Sequence, residues 1–149
     1  MRILVTGANG MVARATAEHC RQIGDTVTAL GRDRLDISNR DQVFETVIDS
    51  GFNAILNCAA YTDVDGAETN RDACFASNVI GVENLALAAK RSGAAFVTIS
   101  TDFVFSGENP GFYTQRDTPD PKSVYGRSKL EGEDRARSAN AATIIVRSG

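Results

Sequence analysis

The opening residues constrain this chain more than any other stretch. Arg2-Ile3-Leu4-Val5-Thr6 is a short apolar run that breaks into Gly7-Ala8-Asn9-Gly10-Met11-Val12-Ala13, and helical spacing follows to about residue 23. A strand that turns over glycines into a helix opens a βαβ unit. Gly7 permits the tight turn. Gly10 lets a ligand approach the backbone at the helix N-terminus, where unpaired N–H groups and the helix dipole attract anions. Ala13 is small where the helix must press against the sheet. Such a turn suits the pyrophosphate of a dinucleotide, with Gly7, Asn9, Gly10, Met11 and Val12 as the contacting residues.

The rest of the chain keeps the alternation. Strands are expected at Arg2–Thr6, Thr26–Leu30, 53–57, 95–100 and 143–147, and helices at 10–23, 39–50, 71–92 and 123–137. Ser38 is the expected N-cap of the second helix, and Gly93 ends the third. Alternating strands and helices of these lengths predict a doubly wound parallel sheet with right-handed crossovers, a Rossmann-like α/β fold. At 149 residues the chain suits one domain, read as an NAD(P)-binding unit over residues 1–149. A loop over 102–121, with Gly107, Pro110, Gly111, Pro119 and Pro121, is long for a compact domain and so points to function.

Composition excludes several classes. A net charge of −3 without a basic cluster argues against nucleic acid. No apolar run approaches the roughly 20 residues that span a bilayer, and the first residues read as a strand and not a signal peptide. The expected setting is the cytoplasm. Cys20, Cys58 and Cys74 are too scattered for a C-x-x-C site and read as small apolar residues. His19, the only histidine, reads as a helix surface residue, and no metal site is expected.

Two further signals concern chemistry. The second strand ends in Leu30-Gly31-Arg32, where a carboxylate would select the ribose of NAD. Arg32 suits a 2′-phosphate instead, which favours NADP(H) over NAD(H), and Asp36 can accept from the adenine amino group. Tyr125-Gly126-Arg127-Ser128-Lys129 sets a phenol and an ammonium one helical turn apart. A Lys⁺ there should lower the tyrosine pKa and prepare it for proton transfer.

Five segments together resemble the dTDP-4-dehydrorhamnose reductase family of the extended short-chain dehydrogenase/reductases. They are residues 2–10, Leu35-Asp36-Ile37, Asn57-Cys58-Ala59-Ala60-Tyr61-Thr62-Asp63-Val64-Asp65, Ser100-Thr101-Asp102-Phe103-Val104-Phe105-Ser106-Gly107 and residues 124–133. The resemblance implies hydride transfer from NAD(P)H to the C4 ketone of a nucleotide-linked 6-deoxy-hexulose. It assigns Thr101 to the substrate carbonyl, Tyr125 to proton donation, and Lys129 to the nicotinamide ribose. Asn78 would support the active-site wall and, with Ile37 and Cys58, bind the cofactor; Ala59, Ala60 and Tyr61 would line the adenosine and its ribose, and the partner is a nucleotide sugar.

Three departures accompany the match. Gly66 stands where relatives often carry lysine. Arg14-Ala15-Thr16 lacks the glutamate that helps some members bind Mg²⁺. Family chains are roughly twice this length, so the resemblance places Gly149 just after about the sixth strand, without the C-terminal half that shapes the sugar-nucleotide pocket. Other readings are a non-catalytic NAD(P)-binding regulatory subunit, as beside methionine adenosyltransferase, and a related sugar-nucleotide epimerase or dehydratase. An unpaired sheet edge also allows a homo-oligomer.

Overall fold

The computed structural model describes residues 1–109 and 111–149; Pro110, expected in the long loop, lies outside the described residues. Strands β1 (Arg2–Thr6), β2 (Thr26–Leu30), β3 (Ala54–Asn57), β4 (Ala95–Thr101) and β5 (Ile144–Ser148) form one parallel sheet in the order β2-β1-β3-β4-β5. The expected doubly wound α/β sheet is present. All five strands read from the residues are present, and the placement implied by the resemblance is corrected: Ile144–Ser148 is the fifth strand and not the sixth. Between β4 and the last helix, glycines and prolines leave no apolar run, and the described residues form only a 3-10 turn at Asp102–Val104.

Helices α1 (Met11–Gln22), α2 (Arg40–Val47), α3 (Val64–Thr69), α4 (Arg71–Phe75), α5 (Val82–Ser92) and α6 (Val124–Ala139) flank the sheet. The period of two in β1 sorts its residues: Ile3 and Val5 pack with Ala13, Ala17 and Cys20 of α1, while Leu4 joins Val43, Val47, Ile55, Leu85, Ala86 and Phe96 on the other face. Cover is uneven on the α1 face. Beyond α1, Ile144 and Val146 of β5 remain 54% and 43% exposed.

Three local expectations change. Asn39, not Ser38, caps α2, its Oδ1 accepting from the Gln42 amide at 3.1 Å, while the Ser38 hydroxyl donates to Asp36 at 2.7 Å. Helix α3 was not anticipated; Asp63 caps it through the Gly66 amide at 2.9 Å. Residues 71–92 are continuous, but a π turn at Ala76–Gly81 separates α4 from α5.

That π turn meets α6 backbone to backbone. A Cβ on Gly132 would collide with the Asn78 carbonyl oxygen. The contact brings α6 close enough for the Asn78 side chain to reach it. Replacing Gly132 by alanine is expected to destabilise the chain by about 2 kcal/mol through overpacking. Urea unfolding checks this, and an unchanged midpoint would contradict such close packing.

Candidate functional site

Strand order reverses between β1 and β3, and a cleft of about 510 Å³ opens beyond the carboxyl ends of those strands. Ligands of open α/β sheets bind at such switch points. Gly7, Asn9, Gly10, Arg32, Asp36, Ile37, Cys58, Ala59, Ala60 and Tyr61, all named from the sequence as candidate cofactor contacts, line it together. Gly31, Leu35, Thr62, Asp63 and Ser77 also line it and were not anticipated. Gly31 and Leu35 flank expected residues, and Thr62-Asp63 continues a quoted motif. Ser77 had no signal, since the π turn that places it is not legible from spacing.

The cleft suits an anion at one end. Gly7 has φ 71°, and a Cβ there would lie 2.7 Å from the Ala59 amide nitrogen, so both conformation and space require glycine. Side chains cap α2, α3 and α6, but none caps α1, whose first turn also holds no acid. Its N–H groups therefore remain available to a phosphate. Met11 and Val12, also candidates from the sequence, are exposed and do not line the cleft.

Arg32 and Asp36 face each other at the far end, 3.5 Å apart. The Arg32 side chain is 80% exposed and free to swing, so the pair itself contributes little stability. Asp36 is more committed than expected: one oxygen accepts from the Ser38 amide at 3.0 Å and hydroxyl at 2.7 Å. The Ser38 hydroxyl bond, with Arg32 assisting, holds its carboxyl below the ordinary carboxylate range.

Thr101, Tyr125 and Lys129 lie deeper, all buried, and do not line this cleft. Thr101 ends β4. Tyr125 sits in the first turn of α6, edge-on to Phe103 at 5.7 Å. The expected effect of Lys129 on Tyr125 is corrected. Burial pushes the Tyr125 phenol up, and the opposing pull comes from the Thr101 hydroxyl. Lys129 instead donates to the Ile99 carbonyl at 2.7 Å. Burial lowers its ammonium to about 8 from the ordinary 10.5, against the opposing field of Glu133.

Asn78 lies behind the cleft, 1% exposed, and joins its two parts. Its Oδ1 accepts from the Tyr61 amide at 2.8 Å, and its Nδ2 donates to the Tyr61 carbonyl at 3.1 Å and the Ser128 hydroxyl at 2.9 Å. Ser128 in turn donates to the Tyr125 carbonyl at 2.7 Å. The cysteines divide: Cys20 and Cys74 are buried, whereas Cys58 lines the cleft and burial raises its thiol pKa. His19 is exposed on α1. Among the described residues, no helix is long and apolar enough to cross a membrane.

The family model described as the RmlD substrate binding domain matches residues 1–149. The chain belongs to this family. A dTDP-4-dehydrorhamnose reductase of Aggregatibacter actinomycetemcomitans is 42% identical over 147 residues, covering 98% of this chain and 50% of that one. A crystal structure described as a dTDP-4-dehydrorhamnose reductase from Clostridium acetobutylicum superposes with a TM-score of 0.97 at 40% identity, covering 100% of this chain and 53% of that one. Another, from Bacillus anthracis in complex with NADP, gives 0.94 at 38%, covering 98% and 52%. The chain thus spans about half the length of these relatives.

In this member of the RmlD substrate binding domain family, the depressed Lys129 pKa has a measurable consequence. Between pH 8 and 10.5 the unfolded chain holds a proton on Lys129 that the folded chain has lost, so stability rises with pH across that window. Relative to Lys129→Met, the wild-type chain is expected to gain up to about 3 kcal/mol from pH 7 to 10.5. Urea unfolding of both chains at several pH values checks it; parallel curves would refute the burial of a costly ammonium.

Proposed function

We propose that residues 1–149 are the NAD(P)-binding unit of a reductase of the dTDP-4-dehydrorhamnose type. The cleft carries this reading: it lies at the switch point, is bounded by an uncapped helix N-terminus, and has a glycine cradle that a Cβ would fill. These features fit a dinucleotide with its pyrophosphate at α1 and its adenosine toward Ile37 and Ala59–Tyr61. When bound, the dinucleotide supplies the hydride.

The chain's own residues do the rest. Thr101 donates a hydrogen bond to the ketone oxygen at C4 of the nucleotide-linked deoxyhexulose, and Tyr125 delivers the proton that makes it a hydroxyl. The raised Tyr125 pKa keeps the phenol protonated and ready to donate. Lys129 turns from the Ile99 carbonyl to the ribose hydroxyls, and Asn78 holds Tyr61 and α6 in register. Arg32 favours NADPH over NADH by pairing with the 2′-phosphate, which must draw it from Asp36. The relative from Bacillus anthracis described in complex with NADP supports the use of a nicotinamide dinucleotide. Self-association through the open edge of β5 is part of the same reading.

Fluorescence titration is expected to show tighter binding of NADPH than of NADH. Arg32→Ala should weaken NADPH binding about tenfold, as for one exposed charge-assisted contact, and leave NADH unchanged. Equal losses for both cofactors would refute the role of Arg32. Residues 1–149 alone should bind cofactor yet consume little NADPH with the dTDP-ketosugar, because few contacts here can position the sugar. Turnover at ordinary enzyme rates, on the order of 10 s⁻¹, would contradict that. Where turnover is measurable, Tyr125→Phe should remove at least about 99% of it with cofactor affinity kept. Unchanged turnover would refute Tyr125 as the proton donor.

A further inference from the structure

Glu133 is a buried carboxylate that the reaction outlined above does not use. Its side chain is 1% exposed. One oxygen accepts from the Ser100 hydroxyl at 2.6 Å and Arg147 Nε at 2.9 Å, and the other from Arg147 Nη2 at 2.6 Å. Arg137 approaches to 3.6 Å from the surface. A buried ion pair gains little stability over well-packed apolar residues, so its placement is the informative fact.

That placement adjoins two of the residues assigned to the reaction, Thr101 and Lys129. Ser100 immediately precedes Thr101 in β4. Glu133 follows Lys129 by one turn on α6, on the same side of the helix. Arg147 comes from β5 and lies over the Phe105 ring at 5.1 Å, and Phe105 stacks on Tyr113 at 4.4 Å. The groups acting on the Lys129 ammonium are Glu133 on its own helix, Cys74 on α4 and Cys58 just past β3; the Ile99 carbonyl of β4 accepts its hydrogen bond. Tyr125 lies one turn earlier on α6. The thiols are uncharged while protonated, so Glu133 supplies the standing negative field, shared with Arg147.

We propose that the Glu133–Arg147 pair is a positioning element for Lys129, with Glu133 keeping the buried ammonium charged and Arg147 setting how much of that field it receives. The pair also fixes the strand end that carries Thr101. The proposal rests on the reading of Lys129 as the residue that holds the cofactor ribose. It predicts opposite electrostatic effects from the two partners, which a purely structural brace would not produce.

The test is ¹³C NMR of the 149-residue chain carrying [¹³Cε]-lysine, with the Lys129 signal assigned by its loss in Lys129→Met. Glu133→Gln is expected to lower the Lys129 midpoint by roughly one pH unit, and Arg147→Met to raise it by a similar amount. A brace that merely loosens the site would admit water and move both variants upward. Shifts of the same sign, or none, would overturn the proposal. If Glu133→Gln does not fold, the double variant Glu133→Met/Arg147→Met, which removes both charges of the pair together, is expected to titrate below wild type; a midpoint at or above wild type overturns it equally. Failure of the wild-type chain to bind NADPH would refute the cofactor reading, while the Lys129 titration would still decide the pair's effect.

Discussion

The closeness of two backbones governs the carboxyl end of this sheet. Gly7 and Ala59 meet with no room for a side chain between them, so the turn that opens α1 and the loop that leaves β3 become the two banks of one cleft. A buried polar ladder holds the strands beneath in matching register. The Thr6 hydroxyl donates to Asn57 Oδ1 at 2.6 Å, and Asn57 Nδ2 donates to the Thr98 hydroxyl at 3.0 Å. Buried groups satisfied this way discriminate against slipped pairings, because a one-residue shift would orphan each of them.

From that junction the constraint spreads to α6. Asn78 grips both main-chain polar groups of Tyr61 on one side and Ser128 on the other, so the cleft wall and the helix bearing Tyr125 and Lys129 cannot move independently. Glu68 of α3 adds a second tie, accepting from the Val124 amide at 2.7 Å at the start of α6. The site thus combines a pre-formed open cleft with a buried, polar interior. A lysine with burial against it is a poor choice for stability and a reasonable one for function. Strained or costly groups of this kind persist where surrounding contacts over-determine them.

Much of this was legible in the residues. All five strands were legible to within a residue or two, since each is a short β-branched and apolar run bounded by turn residues. The small residues at Gly7 and Ala13 were legible because each answers a steric demand that few residues meet. What escaped depended on tertiary context. Helix α3 is six residues long, and its cap, Asp63, sits inside a motif that reads equally well as loop. Asn39 displaced Ser38 as a cap because Asp36 captured the serine hydroxyl. The Tyr125–Lys129 spacing suggested a direct electrostatic effect, but four residues along a helix fix proximity and not orientation. Lys129 found a strand carbonyl to bond, and burial then set both pKa directions.

The π turn at Ala76–Gly81 gives the long helix two different phases. Each residue of an α-helix advances by about 100°, so one residue of extra winding rotates everything beyond it by that angle relative to everything before. Upstream of the bulge, Cys74 points to Ser128; within it, Asn78 reaches Tyr61; beyond it, Leu85, Ala86 and Ala89 pack on the sheet. A regular helix through the same residues could satisfy the sheet or the cleft wall, but not both. The bulge therefore takes up one residue of length: a chain one residue shorter within 76–81 could run as a regular helix with Cys74 and the alanine-rich face still in place, and what it would lose is the local geometry that lets Asn78 reach Tyr61.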